Sequence, residues 1–264
     1  MSVLADINAA RRLSVAEAKE RLSPKRLAAD VALVRRSPVS LAEALRAGTG
    51  PRVIAEHKRA SPSEGDYGCP ADTSAVVRGY EMAGATGLSV LTERERFGGS
   101  LDHLRAAREE VGLPLLRKDF IVDEYQLYEA RLAGADAVLL IASGLSLSEA
   151  ERFCRKAHEL QLEVLLELHG EGELDYLSIG PDVVGVNNRD LKTLAIDLAT
   201  SVAMLPLLPT DLPRISESGI KTAADAAEMI ALGYDGLLVG TQFMKTDDPG
   251  AALATFLTET KALL

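Results

Sequence analysis

The stretch Pro51–Gly65, PRVIAEHKRASPSEG, decides how the rest of the chain is read. It opens with an apolar run, Val53-Ile54-Ala55, that reads as a buried strand, and it breaks into a Ser/Pro/Gly loop. Between run and loop stand Glu56 and Lys58. Strand side chains alternate faces, so these two point the same way, with His57 opposed. An acid and a base at the carboxyl end of a buried strand are costly to desolvate unless they are paired or used. Taken alone, the pair is either a structural ion pair or part of a reactive site.

Outward from this stretch, strand-like and helix-like segments alternate. Further apolar runs fall at 88–91, 115–116, 137–142, 164–168, 183–186, 214–215 and 236–239, which makes eight. Helical patterns cover 74–83, 100–111, 124–133, 146–160 and 222–232, and Gly84, Gly134 and Gly233 end three of them just ahead of the next strand. Runs that are apolar throughout suit a parallel sheet covered on both faces. Eight units at a spacing of roughly 25–30 residues predict an α/β fold, a closed (β/α)8 TIM barrel. An open doubly wound sheet is the alternative, but it usually carries a Gly-rich fingerprint after its first strand, and none follows here.

The first 48 residues differ. They are rich in Ala, Leu, Arg and Glu with helical periodicity, and Pro24 and Pro38 break them. Two or three helices are expected, and Ser40-Leu-Ala-Glu43 fits a capping box for the last. The division read from the sequence is therefore an N-terminal helical extension at 1–48 and a catalytic barrel at 49–264. The extension reads as a packing cap, with a share in the substrate pocket as the other possibility.

Composition narrows the function. The chain has 264 residues, 47% hydrophobic and 26% charged, as in an ordinary globular protein. A net charge of −10 disfavours nonspecific binding to nucleic acid or membranes, though cations gathered in one cleft can still hold an anion. Two cysteines, Cys69 and Cys154, without metal-ligand spacing point to free thiols in a reducing compartment. No run is long enough to span a membrane and the start lacks a signal peptide, so a cytoplasmic location is expected. The four histidines show no ligand spacing, and no metal is expected.

Barrel enzymes carry their chemistry at the carboxyl ends of the strands. Here those ends are Glu56/Lys58, Thr92/Glu93, Lys118, Ser143, Glu167, Asn187/Arg189, Glu217/Ser218 and Gly240/Thr241. Two lysines among several carboxylates suggest general acid chemistry combined with anion binding. Glu167 sits inside LLELH, where a carboxylate flanked by leucines needs a partner or a role. Ser218-Gly219 and Gly240-Thr241 bring small residues to turns after the seventh and eighth strands, where barrels commonly bind phosphate. The loop from Ala60 to Asp72 is long and rich in Ser, Pro and Gly, as a lid would be.

As a set, these residues resemble indole-3-glycerol-phosphate synthases of tryptophan biosynthesis. The matching stretches are AEHKRASPSEG (55–65), LSVLTE (88–93) with Phe97-Gly-Gly-Ser100, LLRKDFIVDEYQ (115–126), GADAVLLIA (134–142), LLELH (165–169), VGVNNRDLKTL (184–194), SESGI (216–220) and LLVGTQFM (237–244). The N-terminal helices resemble the extension that family carries before its barrel; His57 is a small departure. The resemblance implies closure of 1-(2-carboxyphenylamino)-1-deoxyribulose 5-phosphate to indole-3-glycerol phosphate, with loss of carbon dioxide and water and no cofactor. It implies Lys118 as proton donor to the ketone, Lys58 as holder of the substrate carboxylate, Glu167 as acid or base in the later dehydration, and Glu56 as the residue that orients Lys58. Asn187 and Arg189 become a positioning pair, and Glu217 and Ser61 part of the pocket wall. Ser218, Gly219, Gly240 and Thr241 become phosphate ligands, and Phe97 and Phe120 the packing surface for the aromatic ring. A small phosphorylated molecule is the expected ligand, with no nucleic acid and no membrane. A monomer and an association with other tryptophan-pathway enzymes both stay open. A sugar-phosphate isomerase of the same barrel class would carry Cys or Asp at the first strand end, and a catalytically silent relative would lack one of Lys58, Lys118 or Glu167.

Overall fold

A computed structural model describes residues 3–62, 64–69, 72–191 and 193–264. Ser63, Pro70, Ala71 and Lys192, all in loops quoted or named above, lie outside the described residues. Eight parallel strands close into a barrel: β1 (Val53–His57), β2 (Gly87–Leu91), β3 (Leu115–Lys118), β4 (Ala137–Ile141), β5 (Glu163–Leu168), β6 (Val183–Asn187), β7 (Arg214–Glu217) and β8 (Gly236–Val239). Closure is direct, since Ile54 of β1 pairs with Leu238 of β8 on one side and Gly87 of β2 on the other. Seven strands cover or extend their apolar runs and β4 stops one residue short of its own, at Ile141; a strand covered on both faces needs no polar alternation. Three helices precede the barrel, α1 (Val3–Arg21), α2 (Pro24–Val31) and α3 (Leu41–Arg46). The outer ring is α4 (Thr73–Ala83), α5 (Leu101–Glu110), α6 (Tyr125–Ala133), α7 (Leu147–Glu159), α8 (Ala199–Met204), α9 (Ala223–Leu232), α10 (Thr241–Met244) and α11 (Pro249–Leu263). A 3-10 segment at Glu171–Ile179 follows β5, and a two-stranded ribbon pairs Ala60–Ser61 with Gly65–Asp66. The sequence pattern gave no sign of the ribbon, the 3-10 segment or the short α8 and α10.

Strand alternation sorts side chains into two cores. Outward residues such as Val53 and Ala55 pack under the helices, while Ile54, Leu116, Leu139, Leu165, Ile215 and Leu238 fill the barrel. The inner core is completed from below by Leu41 and Leu45 of α3, both fully buried. Burying such a leucine contributes about 1.5–3 kcal/mol. The plug needs room: a Cβ on Gly236, at the start of β8, would stand 2.6 Å from Leu45 Cδ2. By the same alternation Glu56 enters the barrel, while His57 goes outward to Thr73 on α4 and packs edge-on against His103 of α5, ring centroids 5.4 Å apart.

Carboxylates pin the N-terminal segment to the barrel base. Ser40 accepts from the Glu43 amide as expected of an N-cap, but the carboxylate that answers the helix end belongs to Glu163 on β5. It accepts the Ser40 hydroxyl and the amides of Leu41 and Ala42, the latter two at 2.7 and 3.0 Å. Asp136, fully buried, accepts Arg36 at 2.6 Å and Arg108 at 2.8 Å together with the amides of Val39 and Leu115. A buried carboxylate so surrounded has its desolvation offset on both oxygens. Among the described residues no helix is long and apolar enough to cross a membrane.

Candidate active site

At the opposite rim the strand ends turn from apolar to charged. Lys58 Nζ lies 2.9 Å from Glu56 Oε1, and Ser89 of β2 donates to Glu56 Oε2 at 3.2 Å. Burial alone would raise the Glu56 carboxyl, but Lys58 and Lys118 more than reverse this and hold it below its ordinary value. Lys118, the last residue of β3, donates to two carboxylates at once: Glu167 Oε2 on β5 at 2.8 Å and Glu217 Oε2 on β7 at 2.7 Å. Burial opposes the charge on this lysine, yet Glu167, Glu217 and Glu56 together hold its proton more tightly than in water. It is a firm ammonium ion.

The two carboxylates on Lys118 are not equivalent. Burial would raise Glu167, but Lys118 and the side chain of His169 hold it well below the usual carboxylate range. Burial drives Glu217 upward; Lys118 opposes the shift, the like charges of Glu167 and Glu56 add to it, and the group is pushed up to about 7. Neighbouring carboxyls with separated proton affinities are a means of dividing acid and base roles.

Neighbouring strands fix these groups. Asn187, ending β6, donates to Glu167 Oε1 at 3.0 Å and accepts the Arg189 amide at 3.0 Å. Asn188, between them, points the other way and is buried. Its amide group donates to Ser216 Oγ and to the carbonyls of Glu217 and Ser218, each at 3.0 Å, tying β6 to the turn after β7. In that turn Ser218 and Gly219 both have positive φ, 65° and 83°, a conformation uncommon for serine that turns the chain sharply beside the cavity. At the next turn a Cβ on Gly240 would stand 2.7 Å from Glu56 Cβ, so glycine is required there for close approach rather than for its φ.

The other wall is apolar. Phe97 and Phe120 lie with ring centroids 6.1 Å apart, and Leu4 and Ile7 of α1 join them around the same cavity. The N-terminal segment is thus part of the pocket as well as a cap. Behind Phe120, buried Asp119 accepts Thr92 at 2.6 Å, Arg11 of α1 at 2.7 Å and Arg117 at 2.9 Å, while its other oxygen takes the Phe120 amide at 2.8 Å. Above the site, Tyr67 donates to Ser61 Oγ at 2.9 Å, lies 3.3 Å from Thr241 Oγ1, and has Lys58 Nζ 5.8 Å from its ring centroid. Glu64 of the same loop pairs with Lys245 at 3.0 Å.

Glu56, Lys58, Ser61, Phe97, Lys118, Phe120, Glu167, Asn187, Arg189, Glu217, Ser218, Gly219, Gly240 and Thr241 all border one cavity. Three other strand-end residues do not. Thr92 is spent on Asp119, Ser143 is exposed, and Glu93 folds back to accept the amides of Glu95, Arg96 and Phe97. Sequence reading missed Asn188, Asp119, Tyr67 and the residues from α1. For Asn188 the doubled Asn was a usable signal; for the others nothing local marks the contact.

A closed barrel with a lysine–carboxylate centre and small-residue turns at the carboxyl ends of its last strands defines a protein of the (β/α)8 enzyme class. Comparison with known proteins makes this specific. The family model described as indole-3-glycerol phosphate synthase matches residues 4–256. Relatives of that name include one from Bacteroides thetaiotaomicron, 43% identical over 97% of both chains. Another, from Nocardioides, is 45% identical over 96% of this chain and 97% of its own. One from Neisseria gonorrhoeae is 49% identical over 76% of this chain and 77% of its own. Among solved structures, a thiamine phosphate pyrophosphorylase from Pyrococcus furiosus superposes with a TM-score of 0.62, covering 85% of this chain and 100% of that one; at 16% identity this speaks to the fold alone. The chain belongs to the indole-3-glycerol phosphate synthase family.

Proposed function

We propose that the charged groups of this cavity divide among them the work of one ring closure. As an enzyme of this family the chain converts 1-(2-carboxyphenylamino)-1-deoxyribulose 5-phosphate into indole-3-glycerol phosphate, carbon dioxide and water, a carbon–carbon lyase reaction of tryptophan biosynthesis. The ring carbon bearing the carboxylate attacks the ketone, and Lys118 gives the ketone oxygen its proton. An ammonium ion is a good donor to a forming alkoxide, because that oxygen is far more basic than a carboxylate. Lys58, oriented by Glu56, holds the substrate carboxylate until it leaves as carbon dioxide. Loss of water then requires removal of a carbon-bound proton, which Glu167 takes as base and returns as acid to the departing hydroxyl, so that it leaves as water.

Asn187 and Arg189 position the substrate, Ser61 and Glu217 shape the polar wall, and Phe97 and Phe120 pack on the aromatic ring. Ser218, Gly219, Gly240 and Thr241 hold the phosphate. No cofactor enters the scheme. Residues 1–48 act as an extension that completes the pocket of a barrel formed by residues 49–264. We assign the reaction to the cytoplasm, where Cys69 and Cys154, both buried free thiols, remain reduced.

The observation that carries this reading is the position of Lys118 Nζ within 2.8 Å of two carboxylates, in a cavity shared with the Ser218–Gly219 turn. The test is to add the carboxyphenylamino-deoxyribulose phosphate to the purified chain and follow indole fluorescence. A steady rise, abolished in Lys118→Ala, supports it; no product from a folded chain would overturn it.

A further inference from the structure

One buried charged group near the site has no role in the scheme above. His169 stands just past the end of β5, two residues after Glu167, and its ring turns toward that carboxylate. Its side chain is 12% exposed, with Nε2 3.2 Å from Glu167 Oε1 and Nδ1 3.5 Å from Glu173 Oε2. Glu173, in the 3-10 segment, is fixed by the His169 amide at 2.7 Å. Among the described residues neither ring nitrogen has a hydrogen bond of good geometry, so the ring meets the two carboxylates by close approach alone. The asymmetry around Lys118 follows from this placement. Among the described residues Glu167 faces Lys118, Asn187 and His169, whereas the Glu217 side chain hydrogen-bonds to Lys118 alone and its Oε1 is buried without a hydrogen-bond partner.

We propose that His169 is a positioning residue for the reaction: wedged between Glu167 and Glu173 as an imidazolium ion, it reserves the negative charge of the Lys118 pair for Glu167 and leaves Glu217 to carry the proton. The inference rests on the base role given to Glu167 above. Burial would lower the proton affinity of the ring, but the two glutamates reverse this and push it up to about 10. The other charged groups facing Glu167 are Lys118 on β3, Glu217 on β7 and, one layer further, Glu56 and Lys58 on β1. None of them favours Glu167 over Glu217 as His169 does. Without the imidazolium, Glu167 binds a proton more readily, and the base is lost to protonation at a higher pH.

Two measurements test this, and the first needs no turnover. The four histidines are few enough for the His169 ring signal to be identified in proton NMR by its loss in His169→Gln. It should remain protonated to pH 9, and in Glu167→Gln its pKa should fall by one unit or more, since coupling between two titrating groups is reciprocal. Titration near 6.5, or no response to Glu167→Gln, would overturn the proposal. The second is the pH profile of kcat. His169→Gln should move the acid limb up by one unit or more, so that its loss relative to its own value at pH 8.5 deepens as the pH falls. A loss equal at every pH would mark a merely structural residue and would also overturn the proposal. A chain inactive on the substrate whose His169 still stays protonated, with the Glu167→Gln response intact, would refute the functional reading and leave the charge pairing standing.

Discussion

Replacing Lys118 by methionine keeps an unbranched side chain, one atom shorter, and removes the cation shared by the two buried carboxylates Glu167 and Glu217. In the variant Glu167 keeps Asn187 and His169, while Glu217 keeps no hydrogen-bond partner among the described residues. The Glu217 carboxyl, already at about 7, rises further and stays protonated in the folded protein. A folded state that binds more protons than the unfolded one loses stability as pH rises, by about 1.4 kcal/mol per unit for one proton. In the parent this loss is confined between the ordinary value of 4.5 and about 7. In the variant it continues upward. The variant's deficit in stability should therefore be about 3 kcal/mol larger at pH 9 than at pH 6. Turnover should fall by roughly 10² to 10⁴, which is about 2.7–5.5 kcal/mol of barrier for a lost general acid. Indole fluorescence gives kcat, and urea unfolding at pH 6 and pH 9 gives the stability difference. A kcat within tenfold of the parent would refute the donor role, and a stability difference independent of pH would refute the uptake of a proton by Glu217.

Arg189→Ala should raise KM at least tenfold with a smaller effect on kcat; an unchanged KM would remove Arg189 from substrate positioning. His57 is buried and its pKa is lowered to about 4 by burial, with the neighbouring charges of His103 and Arg59 adding to the effect. The unfolded chain therefore takes up a proton near 6.5 that the folded one refuses, and stability falls as pH drops from about 6.5 to 4, by at most about 3 kcal/mol. His57→Leu should flatten that slope in urea unfolding, and an unaltered slope would show that the acid sensitivity lies elsewhere. Asp136→Ala leaves Arg36 and Arg108 without their buried partner and should cost about 3–5 kcal/mol in unfolding, while kcat of the folded fraction is kept because the site is at the other rim. A large loss of kcat with little loss of stability would contradict this separation of roles.

The barrel was readable because its strands are uninterrupted apolar runs and its helices end at Gly84, Gly134 and Gly233. Lys118 and Glu167 were visible for a related reason, since a charge beside a run of leucines needs a partner. What stayed hidden are contacts made across long separations. The carboxylate that answers the α3 end comes from Glu163, 122 residues beyond Leu41, and no local pattern can announce it. The same holds for Leu4 and Ile7 reaching the cavity from α1. Asn188 lies between the lumen-facing Asn187 and Arg189, and alternation sends it outward to brace the next turn. The inequality of Glu167 and Glu217 depends on what lies behind each of them, and spacing alone carries none of that.

The leucines of α3 that close the base have a consequence for traffic. A cylinder stoppered at one end is a cup rather than a pipe. Substrate, carbon dioxide, water and the finished indole must all use the single rim under the Tyr67 loop, so each round has to empty the vessel before the next can fill it.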